Sequence, residues 1–205
     1  MGAYKDCVNN YRNQARWIGF IDLDEFVVPV KYNNVYDFLK LYNNWGRVLI
    51  YWKIFGSNGM ICRDMSRLVT EGFYMARPKH YDIGKCFYNT IYELDVNSKS
   101  YKVFHRMLVT NYFGMSIQPI NVFGNIALEV IYDANSNFFP IQFNHYAVKS
   151  YYEYRIKNKG EVYFKISPHD DQYFNHQNSR ATYTDFSAYK YLIKLKQKLG
   201  SDFEC

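Results

Sequence analysis

The chain of 205 residues is long enough to form a hydrophobic core, and it carries a formal net charge of +6. A basic surface favours anionic partners, but no RRM, zinc-finger or helix-turn-helix signature occurs, so we do not expect nucleic acid among them. The four cysteines lack the CxxC spacing of structural zinc sites. No apolar run is long enough for a membrane span and no secretory signal region opens the chain, so we expect a cytoplasmic protein.

The first part of the chain predicts helices and strands in alternation. Apolar periodicity and capping residues indicate a helix at 4–14, strands at 16–22, 47–55 and 68–75, and a helix at 34–42. Asn33 or Asn34 is the expected N-cap of the second helix. The sequence GSNG after the strand at 47–55 is typical of a turn.

The second part predicts further strands and two basic helices. The strands are expected at 85–94, 120–132 and 140–146, and the helices at 149–159, closed by Gly160, and at 186–199. This mixture predicts an α/β sheet that antiparallel pieces complete in the second half. A doubly wound domain usually has βα units before its first ligand-binding strand, so we expect the chain to lack the first part of its fold.

Three carboxylates interrupt the apolar stretch WIGFIDLDEFVVP at residues 17–29. If the strand continues through them, Asp22 and Asp24 point to the same face, because alternate strand residues share a face. At the carboxyl end of a parallel strand they would reach a ligand crevice, where two carboxylates need a cation between them. Their hard oxygen atoms suit Mg²⁺ or Mn²⁺. A solvated turn after a strand is the simpler alternative, and the local sequence does not choose between the two.

Three enzyme classes carry acids in such a position. A Walker-B strand is excluded because the chain has no GxxxxGK[ST] loop. Aspartyl phosphatases follow their DxD motif with Gly-Thr, whereas Glu25-Phe26 follows here, so phosphatase chemistry ranks low. Nucleotide-sugar glycosyltransferases are the third class, and they use a DxD motif to hold a metal on the donor diphosphate.

Two further stretches contain candidate binding residues. Trp52 and Phe55 lie in an aromatic strand that runs into Gly56, which suits stacking on a sugar ring and close approach of a ligand. A core strand that ends in a hairpin turn is the alternative. His145 follows an apolar strand and is a candidate metal ligand, and Lys149 near a helix start is a candidate phosphate-binding residue. A half-buried histidine and a solvated helix are the alternatives.

Together these stretches resemble glycosyltransferase family 92 and its bacterial relatives. The motifs WIGFIDLDEFVVP, W-x-x-F-G-S-N-G and N-H-Y-x-x-K-S-x-x-E occur in that order, and the resemblance extends over residues 4–165. Lys5-Asp6-Cys7, Lys85 and His105 also look like family positions. The family implies a GT-A fold, which is a Rossmann-like mixed sheet flanked by helices.

The resemblance also implies an activity and a role for each candidate residue. The chain would be a metal-dependent glycosyltransferase that uses Mn²⁺ or Mg²⁺ to move a sugar from a UDP-sugar to a glycan or lipid-linked acceptor. Asp22 and Asp24 would be the DxD pair, His145 would complete the metal shell, and Lys149 would neutralise the diphosphate. The sugar or acceptor pocket would be lined by Trp52, Phe55 and Gly56.

The resemblance implies one transferase-like domain over 1–205, with a DxD half at 1–60, a metal-completing and acceptor half at 61–165 and a basic helical extension at 166–205. The extension suggests docking on an anionic membrane surface, and a solvated helix that packs on the domain is the alternative. An inverting transferase needs a carboxylate base, and the sequence leaves four candidates open: Asp64, Glu71, Asp170 and Asp171. Because no base is assigned and the opening strands are missing, a non-catalytic carbohydrate- or partner-binding protein on the same scaffold is the alternative.

Overall fold

A computed structural model describes residues 2–96, 107–127, 138–160 and 171–200. The chain divides into two compact units, each of which combines two separate stretches. The first unit consists of Met1–Trp52 and Tyr81–Phe143, and the second consists of Lys53–His80 and Asn144–Cys205. Across the described ranges, no helix is both long enough and apolar enough to cross a membrane.

Short elements make up both units. The strands are β1 (Trp17–Gly19), β2 (Glu25–Pro29), β3 (Arg47–Ile54), β4 (Met75–Ala76), β5 (Gly84–Asn89), β6 (Glu93–Asp95), β7 (Leu108–Thr110), β8 (Ile120–Asn121), β9 (Ile141–His145) and β10 (Tyr183–Thr184). The α-helices are α1 (Gly2–Asp6), α2 (Val35–Leu39), α3 (Val69–Gly72), α4 (Tyr151–Gly160), α5 (Asp171–Ser179) and α6 (Leu192–Leu199). The described residues also form a π-helical turn at Cys7–Tyr11 and 3₁₀ turns at Arg12–Gln14, Lys40–Tyr42 and Tyr189–Tyr191.

A six-stranded sheet organises the first unit, and its strand order is β1-β5-β3-β9-β2 with β8 also paired to β3. The sheet is mixed, because β5 is antiparallel to both β1 and β3 whereas β8 is parallel to β3. The first and last strands of this order are joined by only the five residues 20–24. Since a flat array of five strands is about 19 Å wide and part of this connection is a tight turn, the sheet must curl.

Two apolar clusters cover the opposite faces of β5, which is buried along its whole length. Cys86 and Tyr88 contribute to the first cluster and Phe87 to the second, as the alternation of strand side chains requires. A Cβ at Gly84 would overlap the carbonyl oxygen of Ile50, so only glycine allows β5 to lie this close to β3 at its first residue.

The second unit is mainly helical, with a two-stranded sheet of β4 and β10. The helices α4 and α5 supply an apolar cluster around Val148, Tyr154 and Phe174. The ring of Phe55 stacks on that of Tyr146 with 4.6 Å between their centroids. The last two residues of β3 and of β9 belong to this unit.

Most of the predicted elements are confirmed, including the mixed α/β class, whereas the GT-A assignment remains a prediction. The helix at 34–42 is α2 with its 3₁₀ extension, and Asn34 caps it by accepting the N–H of Asp37 at 2.8 Å. The strands at 47–55 and 140–146 correspond to β3 and β9, and the helix at 149–159 corresponds to α4.

Four predicted strands need correction. The strand at 16–22 ends at Gly19, and the strand at 85–94 divides into β5 and β6. The strand at 68–75 is wrong, because the N–H groups of Glu71 and Gly72 donate to the carbonyl of Leu68 and form the helical turn α3. Of the strand predicted at 120–132, β8 covers the first two residues, and 128–132 lie outside the described residues.

Candidate functional site

The segment Asp22–Glu25, here called the acidic turn, joins β1 to β2. The N–H of Glu25 donates to the carbonyl of Asp22 at 3.0 Å, which places Leu23 and Asp24 at the centre of a tight turn. The expectation that Asp22 and Asp24 share one face of a continuing strand is therefore wrong, because strand pairing stops at Gly19. The strand that leads into the turn is also antiparallel to its neighbour, so the turn does not follow a parallel strand.

Lys85 brings a positive charge to the acidic turn. Its Nζ lies 2.7 Å from Oδ2 of Asp22 and 3.4 Å from Oε2 of Glu25. The sheet explains this contact: Gly19 is paired with Phe87 in an antiparallel register, so Lys85 lies level with the residue before Asp22. The Lys85 side chain is only 6% exposed, whereas the carboxylate of Asp22 is 51% exposed. The turn therefore has an exposed and a buried end, and Lys85 contacts both.

Glu25 forms the buried end of the acidic turn. Its side chain is completely buried, and its Oε2 accepts the N–H of Asp22 at 3.2 Å as well as facing Lys85. Its other oxygen, Oε1, is buried without a hydrogen-bond partner in the described structure. Burial raises the pKa of Glu25 to about 7, and the charge of Lys85 opposes that rise. The sequence reasoning noted Glu25 but gave it no role, because burial of a turn carboxylate has no local signature.

The acidic turn offers carboxylate oxygens that could hold a divalent cation together with the phosphates of a substrate. Within the described ranges, no group of three or more His, Cys, Asp or Glu side chains is arranged to hold a metal ion. Asp22 keeps one carboxylate oxygen that Lys85 does not contact, and the half-buried Asp24 lies two residues on. Mg²⁺ usually binds through one or two carboxylates together with substrate phosphates, which matches these two hard oxygen donors.

Trp52 lies in the first unit, near the end of β3. Its backbone forms hydrogen bonds with residues 81–83. The N–H of Trp52 donates to the carbonyl of Ile83 at 3.1 Å, and the carbonyl of Trp52 accepts the N–H of Tyr81 at 2.8 Å. Its ring stacks on that of Tyr81 at 6.4 Å between centroids and remains half-buried. A ring in this state can still offer part of one face to a ligand.

The glycine turn after β3 lies in the second unit, where its residues have clear packing roles. Phe55 is 1% exposed, so its ring belongs to the core and presents no face to solvent. A Cβ on Gly56 would lie 2.5 Å from the Cβ of Ala181, so this position requires glycine for packing. The Oγ of Ser57 donates to Oδ1 of Asn178 at 2.7 Å and fixes the turn to the end of α5.

His145 and Lys149 also lie in the second unit. His145 is half-buried at the end of β9, and its carbonyl accepts the N–H of Phe55 at 3.0 Å. Lys149 is half-buried with a backbone φ of 47° just before α4. Their roles as metal ligand and phosphate partner remain predictions.

The N-terminus of α4 already has protein partners for its first N–H groups. Ser150 and Glu153 form a capping box, with Oγ of Ser150 donating to Oε2 of Glu153 at 2.7 Å and accepting the N–H of Glu153 at 3.4 Å. The N–H groups of Tyr151 and Tyr152 donate to the carbonyls of residues 60–61 at 3.0 and 2.9 Å. The N–H groups of Tyr151, Tyr152 and Glu153 are therefore engaged within the protein. Of the two features predicted to bind a phosphate, the helix N-terminus and Lys149, the Lys149 side chain remains.

The candidate bases in the second unit take part in local contacts. Asp64 accepts the hydroxyl and the N–H of Ser66 at 2.6 and 2.9 Å, and these bonds lower the pKa of its carboxyl group. Asp171 accepts Nη1 of Arg155 and the hydroxyl of Tyr151, both at 3.1 Å. These two carboxylates hold structure at a turn and at a helix start.

Glu71 differs from them because one of its oxygens is buried without a partner among the described residues, while the other pairs with Lys196 at 2.9 Å. Asp170 and the family position His105 lie outside the described residues. The structure therefore does not select a base.

The sequence profile of glycosyltransferase family 92 matches residues 1–115, which is more than half of the chain. The matched stretch contains the acidic turn, Lys85 and residues 52–59, and it ends before His145. The resemblance noted over residues 4–165 is confirmed as far as residue 115. A search of curated proteins found no match to this sequence.

Proposed function

The chain belongs to glycosyltransferase family 92, and from this membership we propose that it transfers a sugar from a UDP-sugar to a glycan or lipid-linked acceptor with the help of Mn²⁺ or Mg²⁺. The observation that carries the proposal is the acidic turn: an exposed Asp22 and a neighbouring Asp24, inside the family-matched stretch, on a turn held in place by Lys85. The non-catalytic binding protein is the alternative.

In this proposal the acidic turn binds the donor's diphosphate through a divalent cation. Asp22 uses the carboxylate oxygen that Lys85 leaves open, and Asp24 provides the second hard oxygen donor. The bound cation supplies Lewis-acid stabilisation of the charge that grows on the leaving diphosphate. Lys85 and the backbone bond between Glu25 and Asp22 keep the turn in one conformation, so the two donors are positioned before the substrate arrives.

Other residues of the chain would orient the substrates. The half-buried Trp52 would stack part of its ring on a sugar or nucleotide ring. Lys149 and His145 keep their predicted roles, Lys149 as a phosphate-binding residue and His145 as a metal ligand. Phe55 and Gly56 would act indirectly, by shaping the turn at residues 56–59 rather than by touching the sugar.

A thermal-shift titration with UDP, with and without Mn²⁺, tests the proposal. A ligand at one hundred times its Kd stabilises the native state by about 2.7 kcal/mol, which corresponds to roughly 5–10 °C in Tm for a chain of this size. We expect a shift in Tm that requires both UDP and Mn²⁺. Asp24→Asn should abolish this shift, and the control variant Asp37→Asn on α2 should retain it. Binding retained by Asp24→Asn refutes the cation role, and no shift with UDP or GDP in the presence of Mn²⁺ refutes the donor class.

The alternative function is favoured by the candidate bases Asp64 and Asp171, whose carboxylates are engaged in structural hydrogen bonds. A non-catalytic protein would bind UDP or a glycan without releasing UDP from a UDP-sugar. A UDP-release assay with a panel of acceptors distinguishes the two functions: release above the level of Asp24→Asn supports the transferase, and binding without release supports the binding protein.

We also propose that α6 associates peripherally with an anionic membrane surface, where lipid-linked acceptors are found. Lys194 and Lys198 are exposed on this helix and Ile193 is 72% exposed, whereas Lys196 pairs with Glu71 at 2.9 Å. Flotation with vesicles that contain phosphatidylserine should recover the protein, and Lys194→Glu with Lys198→Glu should reduce the recovery. Recovery that does not depend on the anionic lipid would contradict this assignment.

A further inference from the structure

The ammonium group of Lys85 is a positive charge that the protein itself places beside the carboxylates of the acidic turn. The turn carries the carboxyl groups of Asp22, Asp24 and Glu25, and the Lys85 ammonium lies 2.7 Å from the first and 3.4 Å from the last. The sequence suggested that carboxylates in this position need a positive charge between them. In the structure a buried lysine from β5 supplies one.

Glu25 holds this ammonium in place. The Glu25 side chain is completely buried, one of its oxygens has no hydrogen-bond partner in the described structure, and the other lies 3.4 Å from Lys85, so Lys85 compensates its charge whenever the carboxylate is ionised. Removing one partner of a buried ion pair leaves an uncompensated charge, which is strongly unfavourable. Asp22 is half exposed and can exchange partners at little cost, whereas Lys85 cannot leave Glu25. The ammonium therefore stays beside Asp22 when another cation binds there.

We propose that Lys85 is a resident cation that keeps the acidic turn's affinity for free Mn²⁺ or Mg²⁺ low, so that the metal binds together with a diphosphate rather than before it. This inference rests on the proposed function. A divalent cation on Asp22 would lie about 5 Å from the ammonium and be repelled by it. The negative charge of a diphosphate offsets that repulsion, because it neutralises both cations at once.

Binding of Mn²⁺ alone, measured by the electron paramagnetic resonance signal of free Mn²⁺, tests this inference without any substrate. Lys85→Gln removes the charge and keeps an N–H₂ donor for Asp22, and Lys85→Arg keeps the charge. Lys40→Gln, which removes a lysine from an exposed pair with Asp37 on α2, is the matched control. We expect Lys85→Gln to bind Mn²⁺ about tenfold more tightly than the unaltered protein. Repulsion between Mn²⁺ and a charge of +1 about 5 Å away weakens binding by a factor of this size in a water-like dielectric. Lys85→Arg and Lys40→Gln should match the unaltered protein.

Adding Asp24→Asn to Lys85→Gln tests whether the increase in Mn²⁺ affinity arises at the acidic turn. The double variant should lose that increase. A folded Lys85→Gln protein with unchanged or weaker Mn²⁺ affinity overturns the inference and leaves Lys85 as a structural ion-pair partner. If Lys85→Gln does not fold, Glu25→Gln is compared with the double variant Lys85→Met/Glu25→Gln, in which the buried carboxylate no longer needs a partner. Tighter Mn²⁺ binding by the double variant supports the inference, and equal binding overturns it.

The same samples separate this inference from the proposed function. If Lys85→Gln tightens Mn²⁺ binding but UDP and GDP bind neither protein with Mn²⁺, the proposed donor is wrong and the resident cation stands. If the unaltered protein binds Mn²⁺ with UDP but Lys85→Gln gains no affinity for Mn²⁺ alone, the proposed function stands and the resident cation is wrong.

Discussion

At the scale of single residues, two residues of the described structure other than glycine have a left-handed backbone conformation. Asn58 has a φ of 53° and Lys149 a φ of 47°. The Asn58 side chain compensates this strain, since it donates to the carbonyl of Gly72 at 2.7 Å and accepts the N–H of Met75 at 2.9 Å. Lys149 has no comparable bonds to described residues, and a left-handed backbone costs a non-glycine residue about 1–2 kcal/mol. Strain of this kind at an uncompensated position is consistent with a functional reason for the lysine.

This contrast predicts opposite effects of glycine at the two positions. Lys149→Gly should raise the free energy of unfolding by about 0.5–1 kcal/mol, because relief of backbone strain exceeds the added entropy of the unfolded chain. Asn58→Gly should lower it by about 1–2 kcal/mol, because two hydrogen bonds of a part-buried side chain are lost. Urea denaturation measures both changes.

The functional role proposed for Lys149 predicts a second effect of the same variant. Lys149→Gly should weaken binding of UDP with Mn²⁺ although the protein is more stable, because the cation near the diphosphate is gone. Unchanged nucleotide binding in a stabilised Lys149→Gly protein would remove Lys149 from the donor site.

At the scale of elements, a two-pronged ion pair joins the helical segment at residues 2–14 to β6. Nη1 and Nη2 of Arg12 lie 2.9 and 3.1 Å from the two carboxylate oxygens of Glu93. The hydrogen bonds from Arg12 lower the pKa of Glu93, although the Glu93 side chain is 64% exposed. Because solvent screens so exposed a pair, its contribution to stability is small.

A double-mutant cycle with Arg12→Met and Glu93→Gln should give a coupling free energy of about 0.5–1 kcal/mol near pH 7. Since the folded-state pKa of Glu93 lies below its unfolded value, the coupling is complete above that unfolded value and is lost as the pH falls through the folded one. Thermal unfolding over a pH series that runs from 7 down through the acid titration of Glu93 measures the change. A coupling that shows no decrease over that titration would show that Arg12 and Glu93 interact through packing rather than charge.

The sequence predicted those elements whose signals are local. The Asn34 cap and the apolar spacing of α2 lie within a few residues, and the hydrophobic run of β3 is unbroken. The pattern at 68–75 predicts a strand, yet the carbonyl of Leu68 accepts the N–H groups of Glu71 and Gly72 and forms the helical turn α3. The strand β2 was missed because it begins at Glu25, inside the acidic turn.

In the candidate site too, the sequence predicted the features that local residues encode and did not predict the contact between distant residues. The carboxylates of Asp22 and Asp24 were visible in the sequence as an interruption of an apolar stretch. The contact of Lys85 with Asp22 depends on the antiparallel register of β1 and β5, which joins residues more than sixty positions apart. No local pattern encodes that register, so the charge that defines the acidic turn was found only in the structure.

At the scale of the whole molecule, the family-matched stretch and the folded unit have different limits. The profile match ends at residue 115, whereas the first unit continues to Phe143. In the strand order β9 lies between β3 and β2, so β2 has its place in the sheet only when residues 141–145 are present. The second apolar cluster of this unit also includes Phe139, Ile141 and Phe143, each no more than 5% exposed.

A fragment of residues 1–115 should therefore fail to fold cooperatively, although it contains the whole family match. It would leave β2 without its neighbour and would remove five buried apolar side chains from the cluster that covers one face of β5, each worth about 2–3 kcal/mol of burial free energy: Ile120, Val122, Phe139, Ile141 and Phe143. That loss is comparable to the entire free energy of unfolding of a typical domain. Near-ultraviolet circular dichroism with thermal unfolding measures the outcome against the 205-residue chain. A sharp transition with native-like aromatic signals in the fragment would mean that β1, β5 and β3 form a stable sheet by themselves, and that the acidic turn and Lys85 can be studied without β9.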